Sequence, residues 1–173
     1  TWTQFDAYDS HRPEDQSNIM FSFSSDAGAT WSNALRINKI SGDCVDSSNT
    51  TEGAVPCIGP NGEIYVSWSV HDKLYFDKSL DGGATWLDDD VFAGKQYGGW
   101  VYDIEGIFRC NGLPITQCDI SNSPYKGTIY INYSDKTNGE KDVDVFLVRS
   151  TDGGSTWSEA IRVNDDPVGN GKQ

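Results

Sequence analysis

The chain has 173 residues, 26 acidic against 13 basic, and a formal net charge of −13. That length gives one domain with a real core, and that charge repels nucleic acid and anionic lipid, so neither nucleic-acid binding nor membrane insertion is expected. No apolar run approaches membrane-spanning length, the opening residues lack the basic and apolar pattern of an export signal, and 18 Gly with 6 Trp among short Tyr/Phe/Val/Ile runs predict an all-β fold.

In chain order, residues 1–5 read as a strand. Its Trp2 aligns with Trp68 in Gly62-Glu63-Ile64-Tyr65-Val66-Ser67-Trp68-Ser69 and with Tyr133 in Gly127-Thr128-Ile129-Tyr130-Ile131-Asn132-Tyr133-Ser134. These three are predicted as the second strand of a repeated four-stranded unit. Third strands are predicted at 18–23, 73–78 and 144–149. Each runs into the same eight-residue pattern, Ser-x-Asp-x-Gly-x-Thr-Trp: Ser24, Asp26, Gly28 and Trp31; Ser79, Asp81, Gly83 and Trp86; Ser150, Asp152, Gly154 and Trp157. Asp accepts bonds from backbone N–H groups ahead of it, Gly supplies a positive φ, and Trp anchors the hairpin to the sheet. Fourth strands follow at 32–38, 87–92 and 158–164, the first and last matching almost residue for residue. A first strand fits 54–58, with Pro56 requiring an unpaired position or a bulge. For the last unit, 101–108 is the predicted first strand.

Three copies in one register make a repeat architecture. The pattern resembles the Asp box of the bacterial neuraminidase repeat, found in sialidases and many other β-propellers. The resemblance implies a propeller segment of about three four-stranded antiparallel blades, with blade 1 incomplete over 1–40, blade 2 over 54–92 and blade 3 over about 100–165. It also implies that the boxes cap the turns between third and fourth strands and take no part in catalysis. The chain stops at Gly171-Lys172-Gln173, just after a fourth strand. The segment is therefore expected to belong to a larger ring, six-bladed or similar, completed by further chain, which is favoured, by a second copy or by an unrelated partner.

In such a blade the 1–2 and 3–4 turns share one rim, while the 2–3 loops and the connections between blades share the other. Every long excursion falls on the second rim: 9–17, 39–53, most of 93–126, and 135–143. The strongest candidate ligand site there is Trp100, Tyr102, Asp103, Glu105 and Arg109, with Arg12 from an earlier loop. Trp100 and Tyr102 suit stacking on a sugar ring; Asp103 and Glu105 suit acid or base work. Equally well, 97–109 reads as a strand with one polar face. Asp9, His11, Arg12, Glu14 and Asp15 form a second polar cluster, and Asp43, Asp46 and Glu52 a third, each read alone as a solvated loop. Asp135, Asn138, Glu140 and Asp142, followed by Asp144, offer oxygen ligands at near-alternate spacing, as for calcium. They miss the EF-hand pattern, so a plain acidic turn is favoured and no cofactor is required. Arg36 and Arg162 sit at equivalent strand positions and read as structural. Asn49-Thr50-Thr51 and Asn132-Tyr133-Ser134 match a glycosylation acceptor.

The four cysteines fall as Cys44 with Cys57 and Cys110 with Cys118. Short separation favours two local disulfides, an oxidising compartment follows, and the spacing does not suit zinc. Sialidases resembling this chain at the boxes use an arginine triad, a Tyr–Glu nucleophile pair and an Asp acid/base. Their first arginine lies in a Phe/Tyr-Arg-Ile-Pro motif that is missing here; Phe108-Arg109-Cys110-Asn111 is a poor match. No catalytic residue is assigned. The leading expectation is a secreted, extracellular, cell-surface or periplasmic scaffold that binds a glycan or an extracellular protein. The alternatives are the N-terminal part of an exo-sialidase-type glycoside hydrolase and a structural part of an extracellular assembly.

Overall fold

A computed structural model describes residues 1–169; Gly171, Lys172 and Gln173 lie outside them. Eleven strands form three antiparallel sheets. The first holds β1 (Trp2–Phe5), β2 (Ser17–Phe21) and β3 (Leu35–Arg36). The second runs β4 (Glu52–Ile58), β5 (Ile64–Val70), β6 (Lys73–Ser79) and β7 (Val91–Lys95) in chain order. The third runs β8 (Ile115–Cys118), β9 (Ile129–Asp135), β10 (Asp144–Ser150) and β11 (Ile161–Arg162). The register between β4 and β5 shifts between Glu52 and Val55, just ahead of Pro56, on the edge strand of its sheet. The first strand of the last sheet is 115–118, not 101–108. Residues 101–108 carry no strand, only an isolated bridge between Tyr102 and Cys110.

Among the described residues, the middle sheet is the only one covered on both faces, and its sequence records that. All seven residues of β5 are buried, so alternation vanishes, whereas β9 and β10 alternate because one face stays open. Ile19, Phe21 and Ile37 of the first sheet pack on Ile64, Val66, Trp68 and Tyr75. Tyr65, Leu74 and Phe76 pack on Ile129, Ile131, Tyr133, Phe146 and Val148 of the third.

The repeated turns carry the packing from sheet to sheet. Trp86 meets Phe21 edge-on with centroids 5.0 Å apart, and Trp157 meets Phe76 at 5.1 Å, both at 65°. The second and third turns thus insert their Trp against an aromatic of the preceding sheet. Trp31, with no preceding sheet among the described residues, stands 66% exposed.

Inside each turn the bonding repeats atom for atom. Ser79 Oγ donates to Asp81 Oδ1 and accepts from Gly83 N, both at 2.8 Å; Asp81 accepts from Thr85 N at 2.9 Å and Thr85 Oγ1 at 2.6 Å. Asp26 and Asp152 do the same for Thr30 and Thr156. The Thr hydroxyl and amide, then the Ser hydroxyl, hold Asp26 and Asp81 down at about 2 and Asp152 lower still. Each carboxyl is more acidic folded than unfolded. Its stabilisation is therefore complete above the ordinary value of 3.8 and is lost as pH falls through about 2. The urea midpoint is expected to drop between pH 4 and pH 2. In an Asp26→Asn, Asp81→Asn, Asp152→Asn protein that drop should shrink; an equal drop in both would place the acid-sensitive groups elsewhere.

Blade 2 solves one local problem differently. In the outer copies Ser32 and Ser158 donate their N–H to the carbonyls of Phe23 and Arg149, and their hydroxyls accept from the same residues' N–H groups. The middle copy has Leu87 there and no hydroxyl. Asp77 takes over, its Oδ1 accepting from both Lys78 N at 2.6 Å and Leu87 N at 3.0 Å. All three fourth strands begin later than expected, at Leu35, Val91 and Ile161 instead of 32, 87 and 158. Burial pushes Asp77 up to about 6.

Candidate functional site

Loops 6–16, 71–72 and 136–143, with connections 37–51 and 96–114, emerge on one rim; the Ser/Asp/Trp turns emerge on the other. The long loops bond to one another. Asp9 N donates to Cys44 O at 2.8 Å, Asp72 N to Ser48 O at 3.3 Å, Gly98 N to Asp72 Oδ1 at 3.1 Å and Lys136 N to Tyr97 O at 2.9 Å. His71 and Asp72 form the tight β5–β6 turn, both at φ 55°. The His71 ring lies 3.1 Å from Asn49 Oδ1 and 3.2 Å from Ser41 O.

On this surface three loops converge on one carboxylate. Tyr8 Oη donates to Asp46 Oδ2 at 2.6 Å, and Arg109 Nη2 lies 3.7 Å from the same oxygen. The bond to Asp46 raises the Tyr8 phenol. Half-buried Glu52 belongs to the same field: burial and then the Asp46 charge raise its pKa, against the pull of Arg109. The cluster therefore offers one hydrogen-bonded carboxylate, one carboxyl pushed toward its neutral form, a phenol and a guanidinium. Asp46 and Glu52 had read as parts of a solvated loop, and nothing in the sequence singled out Tyr8, which reaches Asp46 only through the fold.

Of the residues predicted from 97–109, Arg109 joins this cluster. Asp103 and Glu105 are exposed, and Trp100 is half-buried. Tyr102 is corrected. It is buried under Lys136, whose Nζ sits 5.9 Å from its ring, and its backbone pairs with Cys110, so it cannot stack on a sugar. A Cβ on Gly112 would collide with the Tyr102 hydroxyl, which is the close approach that seats the ring. Arg12 lies apart, ion-paired with Glu14, over a cleft of about 340 Å³ that Ser10, Asp15 and Asp43 also line.

The proposed calcium ligands do not converge. Asp135 accepts from Thr137 and Tyr97 N, Asn138 donates to Asp144, Glu140 pairs with Lys136, and Asp142 accepts from Gly169 N. Among the described residues, no group of three or more His, Cys, Asp or Glu side chains is placed to hold a metal. The four cysteines are free thiols, and neither expected local bridge is formed.

Three successive antiparallel sheets, with loops gathered on one rim, define a sialidase-like all-β fold of β-propeller type. The solved structures it resembles include NanB sialidase from Streptococcus pneumoniae in complex with 2-[(3-chlorobenzyl)ammonio]ethanesulfonate, at 16% identity and TM-score 0.54 over 88% of this chain. NanB with optactamide matches at 16% identity and TM-score 0.53 over 86% of it. The chain spans about a fifth of their length (20% and 19%). No protein-family model matches the chain, and no curated protein does.

Proposed function

We propose that this is a sialidase-like propeller segment that recognises neutral glycans at its loop-rich rim, and that the three Ser/Asp/Trp turns are structural Asp boxes. The observation carrying this reading is the state of the arginines nearest that rim. Arg109 is ion-paired with Asp46 and Arg12 with Glu14; Arg162 bonds Asp144 and Asp166, and Arg36 bonds the carbonyls of Asn38 and Lys39. A sialic acid carboxylate calls for several guanidinium groups converging on one point, whereas Arg12 and Arg109 lie apart, each beside a carboxylate of its own. Carboxylates beside a phenol suit a ligand of hydroxyl groups, and half-buried Trp100 is proposed as a stacking face on the same rim. Exposed Trp31 supports the reading that a further blade packs there, and an extracellular or periplasmic setting is part of the proposal.

A hydrolytic reading has one observation on its side. The 2.6 Å bond from Tyr8 to Asp46, beside a carboxyl raised by burial, has the chemical parts of a nucleophile pair and an acid. A glycan array probed with the purified protein and its Trp100→Ala variant tests the proposal. Neutral glycans are expected to bind, with affinity about tenfold weaker in the variant. Binding confined to sialosides, or their cleavage on the array, would favour the hydrolase instead.

A further inference from the structure

The inner strands of the second and third sheets, β4 and β8, are not hydrogen-bonded to each other, yet three observations fix how they lie side by side. A Cβ on Gly53 would stand 2.8 Å from Pro114 Cδ and 2.9 Å from Leu113 Cβ. Two residues further along both strands, Val55 is paired with Ser67, whose hydroxyl lies 2.7 Å from that of Thr116. Two more residues bring Cys57 on β4 level with Cys118 on β8. The parity agrees. Cys57 pairs with Tyr65, and Tyr65 and Ser67 both face the third sheet; Thr116 and Cys118 share the opposing face of β8. Both sulfurs pack on the one core cluster between these sheets.

We propose that Cys57 and Cys118 form a disulfide that staples the second blade to the third, in place of the local pairings with Cys44 and Cys110. The bridge would sit at the end of the inner strands nearest the Ser/Asp/Trp turns, on the far side of the core from the Tyr8–Asp46–Arg109 cluster. It would fix the angle between the two blades whose connections carry Asp46 and Arg109.

The chemistry balances with a small disulfide such as glutathione disulfide as oxidant. One thiolate attacks it, its S–S bond breaks and one glutathione leaves. The second cysteine then attacks the mixed disulfide and expels the other. One protein S–S bond forms, one small-molecule S–S bond is lost, and the two thiol protons end on two glutathione molecules. Burial, and then the charge of Cys118, push the Cys57 thiol up to about 12; burial, and then the charges of Glu63 and Asp119, raise Cys118. Closure is accordingly expected to be slow at pH 7 and faster at pH 9.

The test uses the purified protein held in glutathione/glutathione disulfide buffer at pH 8.5, alkylated and digested without reductant. A cross-linked peptide pair containing Cys57 and Cys118 is expected, absent from the Cys118→Ser variant. Reduction should lower the melting temperature of the oxidised wild type by about 10 °C, because the closed loop is long. Alkylation of both Cys57 and Cys118 under these conditions, or a bridge from Cys57 to Cys44, would overturn the proposal. Since the mapping is done on the wild type, the result does not depend on a variant folding.

Discussion

Replacing Phe76 with Ala is expected to destabilise the protein by about 3–5 kcal/mol, the cost of a large core truncation. Phe76 is fully buried between the second and third sheets, stacked near Tyr65 at 5.8 Å and receiving Trp157 at 5.1 Å. The repeat supplies an internal control. Counting back from the Ser of each turn, Phe21, Phe76 and Leu147 occupy one position. Phe21 and Phe76 each receive the Trp of the next turn; Leu147, on the open face of the third sheet, receives none among the described residues and is only half-buried. Leu147→Ala should therefore cost about 1 kcal/mol. Urea unfolding of the two variants measures the difference, and equal costs would show that Trp insertion is not what joins the blades.

Gly154→Ala is the second large effect, about 3 kcal/mol. Gly154 has φ +85°, where a Cβ costs about 1–2 kcal/mol in backbone energy alone. Its Cβ would also fall within the Phe76 ring, which cannot retreat because it is enclosed, adding about 1–3 kcal/mol of overpacking. Gly28 separates the two contributions. It has nearly the same φ, +87°, at the equivalent place in the first turn, with nothing within 4 Å of its Cβ. Gly28→Ala should show the backbone cost only, and the excess at Gly154, read from thermal or urea unfolding, isolates the packing.

These variants probe what the sequence displays most openly. The turns, the second and third strands and the rim on which long loops gather are legible because the pattern recurs three times with fixed spacing. Legibility fails where the repeat is broken. The stretch before β8 lacks a counterpart in the other copies, so alternation in 101–108 imitates a strand that is absent there. The use of Asp77 in place of a serine hydroxyl beside Leu87 was equally hidden, because it is a substitution between two positions that adjoin only after folding. Cysteine separation along the chain carries no information about how β4 and β8 lie beside each other, and so it favours the wrong neighbours. At the rim, Arg109 stood in a different polar stretch from Asp46 and Glu52, and Tyr8 carried no signal. No periodicity connects residues that a fold brings together from three segments.

A rim built for a neutral glycan, with Arg12 and Arg109 apart and each beside a carboxylate of its own, should discriminate against sialylated sugars. Parallel titration of the purified protein with a neutral oligosaccharide and with its sialylated counterpart, monitored for binding and for released sialic acid, tests that claim most directly. The account predicts saturable binding of the neutral sugar, weaker binding of the sialylated one, and no release. Tighter binding of the sialylated sugar, or release of sialic acid that Arg109→Ala abolishes, would contradict it.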